Sequence, residues 1–70
     1  MLDPHWYFFI MSFCMTDGLC NTVISLDYEP PRYYLTHDLC LKPLNTLSHY
    51  YKLKGATIEL RICVPWDGEL

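Results

Sequence analysis

The opening apolar run, Trp6-Tyr7-Phe8-Phe9-Ile10-Met11-Ser12-Phe13-Cys14-Met15, limits the fold of this chain more than any other feature, and only Ser12 breaks it. Its aromatic residues favour extended backbone, in which successive side chains point to opposite faces. Tyr7, Phe9, Met11 and Phe13 then share one face, and Trp6, Phe8 and Ile10 the other. A strand apolar on both sides must lie centrally in a sheet, or have a helix over one face and a partner chain over the other. The run falls far short of the ~20 residues that a membrane-spanning helix needs.

The rest of the chain supplies candidate neighbours. Thr16-Asp17-Gly18 has turn chemistry, because Asp-Gly accepts the positive φ angles of tight hairpins. Thr22–Tyr28 alternates, with Ile24, Leu26 and Tyr28 on one side and Ser25 and Asp27 on the other, and reads as the second strand of a hairpin ended by Pro30-Pro31. Thr36 suits the N-cap of a helix carrying Leu39, Leu44, Leu47 and Tyr51 inward, and Gly55 suits its stop. Pro43 allows two solutions: one helix kinked there, or a short turn followed by a helix with Pro43 at its first position. The second is favoured. In the last segment Ile58, Leu60, Ile62 and Val64 alternate with Thr57, Glu59, Arg61 and Cys63, which reads as a strand ended by Pro65, with a tail from Trp66 to Leu70. The order strand, strand, helix, strand over one domain, 1–70, predicts an α+β fold: a three-stranded antiparallel sheet with one helix on one face.

A domain of 70 residues has little interior, and 51% hydrophobic content is rich for it. Small domains of this kind need a staple, and self-association, a homodimer by default, is the expected one. Eight acidic against five basic residues give a net charge of −3, without the clustered Lys and Arg that nucleic acid requires. The opening residues Met1-Leu2-Asp3-Pro4 lack the basic start of a secretory signal, so a cytoplasmic location is expected, with Cys14, Cys20, Cys40 and Cys63 as reduced and mostly buried thiols.

Several constellations bear on chemistry. His37-Asp38-Leu39-Cys40 has an H-x-x-C spacing, but Cys14 and Cys20 lie too far apart for a close ligand pair, so no metal site is expected. Cys40 with His37 could form a nucleophile and base, yet so short a chain has little room for an oxyanion hole and a cleft, so no enzyme activity and no cofactor are expected. The turn Gly18–Thr22 is punctuation in the simplest reading; in a functional one, its backbone N–H groups, with Asn21 and Thr22, face an anion. Arg32-Tyr33-Tyr34 is a loop anchor or a ligand grip, with the rings stacking on a base and Arg32 holding a phosphate. The candidate binding residues are therefore Gly18, Asn21, Thr22, Arg32, Tyr33 and Tyr34.

The stretch Trp6–Phe13 followed by Asp17-Gly18-Leu19-Cys20-Asn21-Thr22-Val23-Ile24 resembles a group of small phage and prophage proteins, in which an aromatic strand, a glycine turn ending in Asn, a short strand, a helix and a final strand follow one another. Here Cys20 stands where that pattern has a second glycine, and Pro43 falls within the helix. The resemblance implies a counter-defence role: an oligomeric, non-enzymatic protein that sequesters a nucleotide-derived immune signal, or an inhibitor that binds a host defence protein, CRISPR complexes included. A small virion or assembly subunit is the structural alternative.

Overall fold

A computed structural model of the chain describes residues 6–66, so the readings made on Met1–Pro4 and on the tail beyond Trp66 lie outside the described residues. Strands β1 (Trp6–Cys14) and β2 (Cys20–Ile24), helix α1 (His37–Leu53) and strand β3 (Thr57–Trp66) follow in order. They form an antiparallel sheet of order β2-β1-β3 with α1 over one face, the expected α+β arrangement. β1 takes the centre, as its two apolar faces require. Phe9, Met11 and Phe13 are buried beneath the helix with Cys40 and Leu44.

The β1–β2 turn closes on Gly18 at φ +91°. The Gly18 N–H donates to the Met15 carbonyl at 3.0 Å, and the Leu19 N–H to Asp17 Oδ1 at 3.0 Å. The second strand is shorter than its alternation predicts. It stops at Ile24, and Ser25–Asp27 form a 3₁₀ turn in place of the strand expected through Tyr28. Ser25, expected with Asp27 on the side opposite Ile24 and Leu26, is fully buried. Its Oγ accepts the Phe9 N–H at 3.0 Å, and its carbonyl accepts the Arg32 N–H at 2.9 Å. The chain returns to the vacated edge of β1 at Tyr34, which exchanges two backbone hydrogen bonds with Tyr7, at 2.7 and 2.8 Å.

Helix α1 is one continuous helix with Pro43 inside it, not a helix beginning at Pro43. The Thr36 hydroxyl caps it as expected, accepting the Leu39 N–H at 3.1 Å. At the other end Gly55, at φ +93°, donates to the Lys52 carbonyl and Ala56 to the Tyr51 carbonyl, both at 3.0 Å, which is a Schellman stop. An unbroken helix sets the inward phase at Cys40, Leu44 and Ser48, so Leu39, expected inward, is exposed.

The last strand departs from simple alternation. Phe13 pairs with Ile58 and Ser12 with Leu60, so Glu59 is an extra residue in a bulge. The bulge reverses the facing of everything after it. Ile58 packs toward the helix, but beyond Glu59 it is Arg61 and Cys63, opposite Met11 and Phe9, that share the helix side. Leu60, Ile62 and Val64 lie opposite Ser12, Ile10 and Phe8 on the other face, instead of joining Ile58. Pro65 does not end the strand, which runs on to Trp66. β3 is an edge strand, where a residue without an N–H is tolerated.

The expectation of reduced thiols is overturned. Cys14 is bonded to Cys20, its direct partner across the hairpin, and Cys40 to Cys63, joining the helix to β3. The bulge makes the second bond possible by turning Cys63 toward the helix. No helix among the described residues is long and apolar enough to cross a membrane.

Candidate functional site

The Cys40–Cys63 bond and a hydrogen bond from Arg61 to Asn45 Oδ1 hold α1 toward β3. The opposite flank of the helix, toward β2, is left open. There the segment after the 3₁₀ turn rises along the helix and encloses a groove of about 480 Å³. Phe9 is its floor. Pro43, Thr46, Leu47 and Tyr50 form the helix wall, and Tyr28, Arg32 and Tyr34 the loop wall.

The aromatic rings of the groove are packed against one another. Tyr34 stacks on Phe9 at 6.4 Å between ring centroids, and Tyr28 meets Phe9 edge-on at the same separation. The Arg32 guanidinium lies 4.7 Å from the centre of the Tyr28 ring, a cation–π contact that orients its donors. Burial holds the Tyr34 phenol above its ordinary pKa, with Tyr28 adding to the rise and Arg32 opposing it. At neutral pH Tyr34 is therefore a protonated donor beside a permanent cation.

The six residues singled out from the sequence do not form one site. Arg32 and Tyr34 line the groove. Tyr33 does not, because adjacent residues of an extended segment point to opposite sides. Its ring lies 4.8 Å from that of Trp6 and 5.3 Å from that of Trp66, at the other face of the sheet. Gly18, Asn21 and Thr22 belong to the far end of the hairpin. β1 separates Tyr7, where Tyr34 is tied, from Cys14, where the turn begins, by about 23 Å of strand. At that end the Gly18 and Leu19 N–H groups are engaged within the turn, and the Thr22 hydroxyl is 3.0 Å from that of Ser12.

Tyr28, Tyr50, Thr46, Leu47, Pro43 and Phe9 were not among the expected binding residues. The helix wall carries a readable signal, since 43, 46, 47 and 50 fall at i, i+3, i+4 and i+7 on one helical stripe. Tyr28 carries none, because its place depends on β2 ending early. Comparison with family models, curated proteins and solved structures found no match to this chain.

Proposed function

We propose that this chain is a non-enzymatic binding protein that captures a nucleotide-type molecule in the groove beside α1. One observation carries the reading: a permanent cation, Arg32, and a neutral phenol donor, Tyr34, share an apolar cleft with the rings of Tyr28, Tyr50 and Phe9. A planar base finds aromatic walls there, and a phosphate finds a guanidinium fork and a hydroxyl donor. The volume falls within the range of small-molecule sites. The bonding of Cys40 to Cys63 supports a binding role over a catalytic one, since it removes the thiol that a nucleophile paired with His37 would need.

The biological setting that goes with this reading is counter-defence: withholding a nucleotide-derived immune signal, as the resemblance to small phage and prophage proteins implies. A host cytoplasm belongs to the same reading. The disulfides pull toward an oxidising compartment, because such bonds are rare in the cytosol. A thiol count on freshly isolated protein decides between the two.

Thermal shift and calorimetric titration with a panel of cyclic and ADP-ribose-type nucleotides test the binding. At least one is expected to bind. Arg32→Gln should then weaken it by about 10- to 100-fold, the worth of a charged hydrogen bond, and Tyr34→Phe by about 3- to 10-fold. Asn21→Ala, at the far end of the hairpin, should leave it unchanged. No binding by any member at high concentration would overturn the reading.

A further inference from the structure

From the face of the sheet opposite the helix we infer that two copies of this chain stack there, face to face, as a dimer. The face is apolar along its length: Trp6, Phe8 and Ile10 of β1 lie beside Leu60, Ile62 and Val64 of β3, and Ile24 of β2 continues it opposite Ile10. Leu60 and Ile62 are 43% and 41% exposed, far more than the residues beneath the helix. Among the paired residues the strand register places no charged side chain on this face; Glu59 stands unpaired in the bulge at its end. Apart from the exposed Thr57, opposite Cys14 at one end, its polar groups are matched to one another. The Ser12 and Thr22 hydroxyls share a hydrogen bond, and the Cys14 and Cys20 sulfurs are bonded. Covering the face from Leu60 to Trp66, away from Thr57 and Glu59, therefore strands no donor, acceptor or charge, which is the condition for a dry interface.

Three features select a second copy as the occupant. An interface without charge, resembling a core cut in two, is the hallmark of permanent self-association, whereas transient partners meet surfaces about as polar as the rest of a protein. A two-fold axis also guarantees chemical complementarity, because each copy presents the same uncharged surface to the other. The area is sufficient as well. Strands β1 and β3, of 9 and 10 residues, span roughly 30 by 10 Å, and the five residues of β2 widen the sheet to about 15 Å over half that length, before side-chain width is added. With the side chains at its margins the face offers about 600 Å² per copy, and the pair reaches the ~1,200 Å² at which specific interfaces begin.

The geometry favours stacking over edge-to-edge extension. The outer edge of β3 is interrupted by the bulge at Glu59 and by Pro65, and β2 has only five residues. Bulges, prolines and short strands are the devices that prevent edge pairing. Nothing comparable protects the face. Two such faces pack about 10 Å apart with strands near-aligned, and Tyr33, 44% exposed beside Trp6 and Trp66, lies at the margin.

Sedimentation equilibrium of the full chain, from low micromolar to near-millimolar concentration and without added ligand, tests the inference. A dimer is expected. Leu60→Glu and Ile62→Glu should each raise its dissociation constant at least about 30-fold, and Leu53→Glu, at the exposed end of the helix, should not change it. Because Leu60 and Ile62 are so accessible, both variants should keep the circular dichroism of the parent. A readout without mutation accompanies them: diluting the parent protein should increase acrylamide quenching of Trp6 and Trp66. A parent that stays monomeric to near-millimolar concentration overturns the inference, as does a dimer indifferent to both substitutions or quenching that does not change on dilution. A monomer that binds phosphatidylcholine vesicles through this face overturns it in favour of a lipid surface.

Discussion

At Ser25 a buried hydroxyl stands in for the ladder partner that β2 no longer offers to Phe9. The substitution is local, but three hydrogen bonds meet there: Oγ accepts from Phe9, and the carbonyl accepts from Tyr28 and Arg32. Ser25 thus fixes both the floor residue of the groove and the start of its loop wall. Ser25→Ala should leave the Phe9 N–H buried without an acceptor and cost about 1–3 kcal/mol in denaturant unfolding. A cost well below that would mean the Phe9 amide finds water instead. Alternation along Thr22–Tyr28 gave no hint of this role, since a serine on the outward phase of a strand looks like a solvated one. The burial follows from where the strand stops, which depends on contacts with β1 and not on the run itself.

Among the elements, α1 shows most clearly which parts of the fold could be read directly. Thr36 as N-cap and Gly55 as stop were legible because each does its task through local backbone chemistry. The continuity of the helix through Pro43 was not. Proline inside a helix removes one hydrogen bond and costs about 3 kcal/mol, so an isolated segment would avoid it. Here the anchoring of Cys40 to β3 and the burial of Leu44 keep both halves in line. Leu39, whose carbonyl loses its partner to Pro43, is exposed. Pro43→Ala should therefore raise stability by about 1–3 kcal/mol in denaturant unfolding. It should also weaken ligand binding, because Pro43 is part of the groove wall. An unchanged midpoint would show that the helix is already relaxed around the ring. In β3, by contrast, the alternation was easy to see but its facing was not. A bulge is an extra residue, and no residue type in Ile58-Glu59-Leu60 announces it. The candidate site was half legible for related reasons: Arg32 and Tyr34 by composition, the helix stripe by spacing, and Tyr28 by neither.

For the molecule as a whole, a sheet one layer thick separates two unlike surfaces: the groove beside the helix and the uncharged face behind it. Few of the described residues are fully buried, with Phe9, Met11, Phe13, Cys40 and Leu44 making up the apolar core. So small a core makes the covalent tie between helix and sheet important. The Cys40–Cys63 bond spans a sequence separation of 23 and encloses nearly the whole helix. Opening a loop of that size should lower stability by about 3 kcal/mol, measured in a Cys14→Ser/Cys20→Ser variant as the difference between unfolding with and without a thiol reductant. Equal midpoints would mean that the bond does not constrain the unfolded chain. Glu59, finally, gives this end of the protein an unusual vulnerability. What separates the two surfaces downstream of it is parity, an odd count where an even one would otherwise stand. Point changes leave parity intact whatever they do to composition. Losing or gaining a single residue there would exchange inside for outside along the rest of the strand and aim Cys63 away from Cys40. Chain length, more than residue identity, is what this segment cannot vary.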